Sequence, residues 1–223
     1  FQSLTGTLET VRNSNVEEAR LIINDLNLKL TSVATLNAEI ARTSDQGSIG
    51  ELQTRQNQII NELAESLSIR TTTADNGVRK VSVNGLGVVD GTSAAAISMA
   101  LGADLTISLN ITLDNDTIAL HPSGGSLAGL MDAQNETIPS ISNDIHSVAR
   151  SIVDGVNALH PGFFADLTDP GQRARAGAFM SVRITDADSI VTSTTGLSGG
   201  NDIPLAISAL RDASLVDLGN TSV

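Results

Sequence analysis

Two long segments of the chain repeat apolar residues at steps of three and four, the spacing of one face of an α-helix. The first covers the opening forty residues, at Leu4, Leu8, Val11, Ala19, Ile22, Leu26, Leu30, Val33, Leu36 and Ile40. The second runs from Ser126 to His160, at Leu127, Leu130, Ile138, Ile141, Ile145, Val148, Ile152, Val156 and Leu159. Because an apolar face needs a partner, the pattern predicts long helices packed against each other.

A polar linker from Thr43 to Gly47 separates the first segment from another helical one. We predict helix one from Phe1 to Arg42, with Ser14 and Asn15 marking a break or restart by N-capping. Helix two is predicted from Ser48 to Leu67, with one face formed by Ile49, Leu52, Gln56, Ile59, Leu63 and Leu67. Its length and the short loop before it predict an antiparallel helical hairpin.

Between Ile69 and His121 the apolar period changes to that of strands. The Asn76-Gly77 pair predicts a tight hairpin turn, because both residue types accept positive φ. Asn115-Asp116 predicts another turn. Strict alternation predicts a strand with one buried face at Leu105, Ile107, Leu109, Ile111 and Leu113. We expect a small β domain that depends little on the helices for its fold.

The last hundred residues are predicted to be mainly helix and loop. Pro139 falls inside the third helix and either kinks it or divides it in two, since proline cannot complete the helical ladder. We predict a strand from Phe179 to Ile184 and a closing helix from Leu205 to Leu215. The fold class is therefore α+β, a long-helix bundle with an inserted β-rich domain. The predicted bounds are 1–68 with 122–223 for the helical domain and 69–121 for the insertion.

Composition and charge exclude several classes of function. The 223 residues contain no Cys, Trp or Tyr, and the formal net charge is -12. Without Cys there is no disulfide framework, thiolate metal site or thiol nucleophile. Phosphate binding needs clustered Lys and Arg, and the 13 present are scattered, which argues against nucleic acid and anionic membranes as partners. No stretch approaches the ~18 apolar residues of a membrane span.

Three histidines and two acidic segments are the candidates for metal binding. His121, His146 and His160 are too dispersed for a zinc site, and we expect surface or capping roles for them. Asp114-Asn115-Asp116 and Asp186-Ala187-Asp188 carry oxygen ligands of the kind calcium takes. Neither has the Gly and distal Glu of a calcium-binding loop, so we interpret both as turns.

One glycine-rich segment is a candidate for phosphate binding. Gly124-Gly125-Ser126 lacks the following Lys of a nucleotide loop, so we interpret it as the start of a helix with Ser126 near its cap. No nucleophile elbow of the Gly-x-Ser-x-Gly type is present. We predict no catalytic, cofactor-binding or metal-binding residues and no cofactor.

Four segments carry a family resemblance, in this order: Leu36 to Ala41; Leu52 to Arg55 with Ile60 to Leu63; Gly124 to Leu130 leading to Ile138-Pro139 and Val156 to His160; and Ile190 to Thr194 with Gly200 to Asp202 before Leu205-Ala206-Ile207. In order and spacing they resemble the flagellar hook-associated protein 1 family (FlgK), the first hook-filament junction protein. The sequence departs from the family pattern at Gln53, Gln56 and Asn57, where the family has carboxylates, and in a shortened segment after His160.

The resemblance implies a flagellin-like helical D1 domain and a β-rich D2 domain. The first residue is Phe1, so we expect a central fragment, and the resemblance implies that both terminal D0 coiled-coil regions are missing. It also implies a secreted, extracellular structural protein of the bacterial flagellum, which forms the junction between hook and filament by axial self-assembly. The implied partners are like subunits in a ring, the hook protein, the second junction protein, and an export chaperone bound through the missing C-terminus. No enzymatic activity is expected.

Two other classes of function stay open at this point. A surface adhesion or ligand-binding module would present a concave or apolar patch on the β domain. A hydrolase would use a Ser or Asp in the loop after His160, in a cleft with a perturbed acid or base. We expect the fragment to be monomeric in dilute solution, because the assembling helices lie outside it and like charges repel at low salt.

Overall fold

Helices and two antiparallel sheets make up the computed structural model of the chain, which describes residues 1–74, 77–113, 116–196 and 199–212. The helices are α1 (Gln2–Arg42), α2 (Gln46–Ser66), α3 (Ser126–Asp132), α4 (Ile138–Leu159), α5 (Pro170–Ala174), α6 (Ala176–Phe179) and α7 (Asp202–Ala209). The strands are β1 (Ile69–Thr73), β2 (Arg79–Val83), β3 (Leu86–Asp90), β4 (Ser93–Ala94), β5 (Ala96–Leu101), β6 (Ile107–Leu113) and β7 (Asp116–Leu120). The predicted α+β class is confirmed.

The chain packs into two compact units. The terminal unit contains residues 1–11 and 138–223, and the central unit contains residues 12–137. The predicted division is different: it joins residues 1–68 and 122–223 in one helical domain and makes residues 69–121 a separate β-rich domain. In the structure the strands share their unit with α2, α3 and most of α1. The core that strand and helix residues share argues against independent folding of residues 69–121, and deletion of these residues tests it.

The first two helices form the predicted antiparallel hairpin. Helix α1 is continuous through Ser14 and Asn15, so the predicted break is wrong; both side chains lie on the outer, more exposed part of the helix. Helix α2 is capped by Asp45, whose Oδ2 accepts hydrogen bonds from the Ser48 backbone N–H at 2.8 Å and from its hydroxyl at 2.7 Å. These bonds, the backbone one foremost, lower the pKa of Asp45.

One hydrophobic core holds the central unit together. Buried residues of α1 and α2 share it with strand residues and with Leu127 of α3; among its members are Leu26, Leu30, Leu63, Val81, Ile107, Leu109 and Ile111. The predicted alternation is confirmed in β6, where every second residue from Ile107 to Ile111 is buried. Leu105 is an exception, because it precedes the strand and has a φ of 64°.

Both sheets are built from sequential antiparallel strands, in the orders β1-β2-β3-β4 and β5-β6-β7. Ile69 pairs with Val83 in the first hairpin, and Gly77 in its turn has a φ of 79°, a value that favours glycine. Asn76 and Asn115, on which the two turn predictions rested, lie outside the described residues.

Asparagine side chains join the helices to the strands. Asn27 of α1 donates to the Ile97 carbonyl at 2.8 Å and accepts from the Ile97 N–H at 2.8 Å. Asn135 forms the same pair of bonds with Ile107, both at 2.8 Å. We call such a pair an amide bridge. Ile97 lies on an edge strand, and Ile107 lies beyond the end of its neighbour β7, so each amide occupies the position of a missing strand.

Asn37 forms the most extensive of these bridges. It is fully buried, and its Nδ2 donates to the carbonyls of Arg79 and Gly91, both at 2.7 Å. Its Oδ1 accepts from the Arg79 N–H and from Gln56 Nε2, both at 2.8 Å. An asparagine amide has two donors and two acceptor sites, so all are used. If the register that pairs Val81 with Val89 continued, Arg79 would face Gly91. These two residues are not paired directly, and the Asn37 amide bonds to both of them instead.

The third helix changes type just before Pro139. Residues Ala133–Thr137 form a π-helical segment between α3 and α4. Pro139 has no N–H to continue the α-helical ladder, and a π segment accommodates the altered bonding. The segment also positions Gln134, which donates to the Leu105 carbonyl at 2.9 Å, and Asn135 for its bridge. The predicted division at Pro139 is therefore realised as a change of helix type.

Helix α4 buries only part of the predicted face. Ile138 and Val156 are buried as predicted, but Ile141 is exposed and Ile145 and Val148 are only half-buried. The buried face instead includes His146, Ala149 and Val153. The core of the terminal unit consists of Ala149, Val153, Val156, Phe164, Leu167 and Ala176. Small residues lie at the centre of this face because α6 packs closely against it. Asn157 forms an amide bridge to Phe164 at 2.9 and 3.1 Å.

Two predictions for the C-terminal region are corrected. The strand predicted from Phe179 to Ile184 is wrong: Phe179 ends α6, and only an isolated bridge joins Val182 to Phe164. A strand needs a partner along its length, and one pair does not supply it. The closing helix begins earlier than predicted, at Asp202. Residues 213–215 lie outside the described residues.

Replacing Asn37 with Asp should destabilise the central unit. The carboxylate loses both donors and places negative charge against the Arg79 and Gly91 carbonyls. We expect a loss of about 3 kcal/mol or more in the free energy of unfolding, measured by urea denaturation. Asn24→Asp is the matched control, because Asn24 is exposed on the same helix, and should change stability by less than about 0.5 kcal/mol. Equal losses in the two variants would contradict a central role for the bridge.

Deleting residues 69–121 tests the predicted domain bounds. Because strand and helix residues share one core, we expect a Gly/Ser-linked deletion variant to lose helicity and cooperative unfolding. Circular dichroism during a thermal scan measures both. A variant that stays helical and unfolds in one sharp transition would instead support an independently folding β insertion.

Candidate assembly surface

The predicted histidines are not brought together. The predicted role of each is at the surface or as a cap. His121 is exposed after β7, whereas His146 and His160 are buried, so the surface alternative is wrong for those two; each accepts a backbone N–H. Among the described residues no group of three or more His, Cys, Asp or Glu side chains could hold a metal ion. The part of the chain that the structure describes also contains no helix long and apolar enough to cross a membrane.

His146 packs α6 against α4. Its Nδ1 accepts the Gly177 N–H at 3.2 Å, and its Nε2 lies 3.3 Å from Ser142 Oγ. Burial, reinforced by the Arg175 and Arg150 charges, lowers the pKa of His146. Because Nδ1 accepts, the proton of the neutral ring is on Nε2, which donates to Ser142. This polarity is the reverse of nucleophile activation, in which the histidine accepts the serine proton.

His160 also accepts a backbone hydrogen bond. Its Nε2 accepts the Val191 N–H at 2.8 Å, and its ring meets the edge of the Phe163 ring at a centroid distance of 5.4 Å. The interaction fixes the segment around Val191 to the end of α4. The hydrolase hypothesis places a Ser or Asp in the loop after His160. In the structure His160 Nε2 is bonded to the Val191 backbone, and its Nδ1 has no hydrogen-bond partner among the described residues.

The glycine-rich segment has a packing role. Gly125 has a φ of 85°, and a Cβ there would come within 2.4 Å of the Ser66 backbone. Only glycine fits this close approach to the end of α2. The Gly124 carbonyl also accepts the Ser68 N–H at 3.1 Å, so the segment joins α3 to the end of the hairpin.

Asp186 and Asp202 act as local caps. Asp186 Oδ1 accepts the Asp188 N–H at 3.1 Å, which agrees with the predicted turn. Asp114 and Asn115 of the other segment lie outside the described residues. Asp202, at the start of α7, accepts the Thr194 N–H at 3.0 Å and its hydroxyl at 2.7 Å. Hydrogen bonds from Ser193 and Thr194 hold the pKa of Asp202 well below its usual range.

The outer face of α1 carries the two most exposed of the large apolar side chains among the described residues. Leu21 is 69% exposed and Leu28 is 70% exposed. They are seven residues apart, which places them one above the other on the same side of the helix. We call this pair the leucine ridge. The leucine ridge is not part of the core, because the buried residues of α1 lie on the opposite side of the helix.

A groove lies farther along the same hairpin. It encloses about 450 Å³ and is lined by Thr31, Ser32, Thr35, Leu36, Glu39, Arg55, Gln58 and Ile59. Leu36 and Ile59 supply apolar surface, and Arg55 and Glu39 supply one charge of each sign. We call it the hairpin groove. Between ridge and groove, Lys29 joins the two helices by ion pairs to Asp25 at 2.8 Å and Glu62 at 3.2 Å. Chiefly the bond to Asp25 raises the pKa of Lys29.

Sequence reasoning missed the ridge, since Leu21 and Leu28 lie outside the apolar stripe from which helix one was predicted. Their spacing of seven residues, flanked by carboxylates, was the available signal. In the sequence, Arg55 carries no signal beyond its place in the family motif, and the residues that line the groove depend on how α1 and α2 pair.

Comparison with known proteins identifies a matching family and a similar solved structure. Residues 1–173 match the profile of the helical domain of the flagellar hook-associated protein FlgK. A search of curated proteins finds no match. Among solved structures, the flagellar hook junction protein FlgK from Burkholderia pseudomallei is similar, with a TM-score of 0.63 and 17% identity. The match covers 74% of this chain and 31% of that one.

The His146 contact predicts an acid-sensitive terminal unit. Its pKa lies below the unfolded-state value of 6.5, so protons bind preferentially to the unfolded chain. Stability should therefore be full above that value and decrease as the pH falls below it. His146→Gln retains an acceptor for Gly177 and does not titrate. In urea denaturation near neutral pH and at about pH 5, we expect it to lose less stability than the parent chain. His121→Gln, at an exposed position, is the control and should behave like the parent.

Proposed function

Because the chain belongs to the family of the flagellar hook-associated protein FlgK, we propose that it is the central part of a structural protein at the junction between flagellar hook and filament. The observation that carries the proposal is the family match over residues 1–173, most of the chain. The chain covers less than a third of the length of the Burkholderia protein, so this role concerns a longer molecule.

In this role the chain acts as a subunit of an extracellular axial assembly. Its partners are like subunits in a ring, the hook protein on one side and the second junction protein on the other. An export chaperone would bind a C-terminal region of the longer protein. The central unit supports such a role, because a hairpin fixed by one core and by buried amide bridges can keep an outward surface rigid.

We also infer that the chain is not an enzyme. The family is structural, and the one Ser–His contact described above has the wrong polarity for nucleophilic catalysis. The net charge of -12 favours a monomer when the fragment is dilute. Weak lateral contacts then become effective only when assembly raises the local concentration of neighbours.

Complementation of a deletion strain tests the proposal. A motile bacterium that lacks the parent gene should form hooks without attached filaments, and the gene should restore the junction, as seen by electron microscopy of isolated flagella. The Asn37→Asp gene should restore it poorly because the central unit is destabilised, whereas Asn24→Asp should restore it fully. Normal filaments in the deletion strain would refute the proposed role.

A further inference from the structure

We propose that the leucine ridge of one copy docks into the hairpin groove of a neighbouring copy. The proposal rests on the proposed function, because it specifies the contact between like subunits. The ridge consists of Leu21 and Leu28, and the groove has Leu36, Ile59 and Arg55 among its lining residues.

The shapes and polarities of the two surfaces are complementary. Isolated exposed leucines are common, but two stacked on one helix face form a ridge about 10 Å long. At about 70% exposure each projects into solvent. A groove of about 450 Å³ with apolar side chains can take up projecting leucines, as in the packing of one helix into the groove between two others.

One pair of charges also matches. Glu17, Glu18 and Asp25 flank the ridge, and the groove contains Arg55 together with Glu39. Glu17 and Asp25 already pair with Arg20 and Lys29 of their own helix. Glu18 and Arg55 have no ion pair among the described residues. Glu39 offsets the charge of Arg55 in the groove, so the electrostatic match rests on the pairing of Glu18 with Arg55, which acts against the overall repulsion between two acidic chains.

The positions of the two surfaces favour a heterologous contact. Ridge and groove use different residues, so each copy can offer its ridge to one neighbour and its groove to another. Their centres on α1 are separated by about ten residues, which gives parallel neighbours a stagger of about 15 Å. A contact of this kind repeats around a ring or along a helix, as the proposed function requires.

The absence of Cys makes a cross-linking test direct. Leu28→Cys and Gln58→Cys chains are prepared separately, mixed at about millimolar concentration and oxidised. We expect the mixed disulfide to form at least fivefold faster than with Thr72→Cys, an exposed control on β1. Equal rates with the two partners would overturn the proposal. A chain that carries both Leu28→Cys and Gln58→Cys should form covalent oligomers larger than a dimer. A product that stops at the dimer, with each ridge in the other's groove, would overturn the head-to-tail arrangement.

A charge exchange tests the same contact independently. Arg55→Glu in the groove partner should slow cross-linking at least threefold, and Glu18→Arg in the ridge partner should restore the rate. Circular dichroism and thermal unfolding check that each variant is folded. Failure of the exchange to restore the rate would contradict the pairing of Glu18 with Arg55.

A complementation arm separates this proposal from the proposed function. Leu28→Asp alters an exposed side chain, so it should leave the fold intact while weakening the junction. If the parent gene restores filaments and Leu28→Asp does so equally well, the docking proposal is wrong and the junction role stands. If the parent gene itself fails, the junction role is wrong, whatever the cross-linking shows.

Discussion

The central unit depends on the buried amide of Asn37. Its two donors and two acceptors join α1 to α2 and to two strand segments in the position where the β2–β3 ladder would otherwise continue. A polar group at 0% exposure is costly unless it is fully bonded, so the surrounding backbone must be placed accurately. Apolar contacts alone tolerate sliding, whereas this arrangement of four bonds allows one register.

The other amide bridges extend the same solution to the sheet edges. Small sheets expose unpaired N–H and C=O groups, which invite association with another chain. Asn27 and Asn135 satisfy such groups at Ile97 and Ile107 from neighbouring helices. Each bridge satisfies both backbone groups of one strand residue and so stabilises the attachment of the strand to its neighbouring segment.

Much of the fold could be predicted from periodicity. The long first helix, the hairpin and the alternation from Ile107 to Ile111 follow from spacing alone. The buried face of α4 could not, because Ile145 and His146 are adjacent and only packing decided that the histidine lies inward. The segment Phe179 to Ile184 has the composition of a strand, but whether it becomes one depends on a partner elsewhere in the chain. Asn37 was indistinguishable by sequence from a solvent-exposed residue near the apolar stripe.

The assembly surface was hard to predict for a different reason. Catalytic and metal sites require particular chemical groups, whereas lateral contacts between subunits need only exposed apolar area and matched charge. Leu21 and Leu28 gain significance only when the structure shows that the opposite side of α1 is fully used by the core. In the proposed role, two exposed leucines on a chain of charge -12 are expected to give only weak association in dilute solution. Specificity then comes from many weak contacts formed together rather than from one strong site.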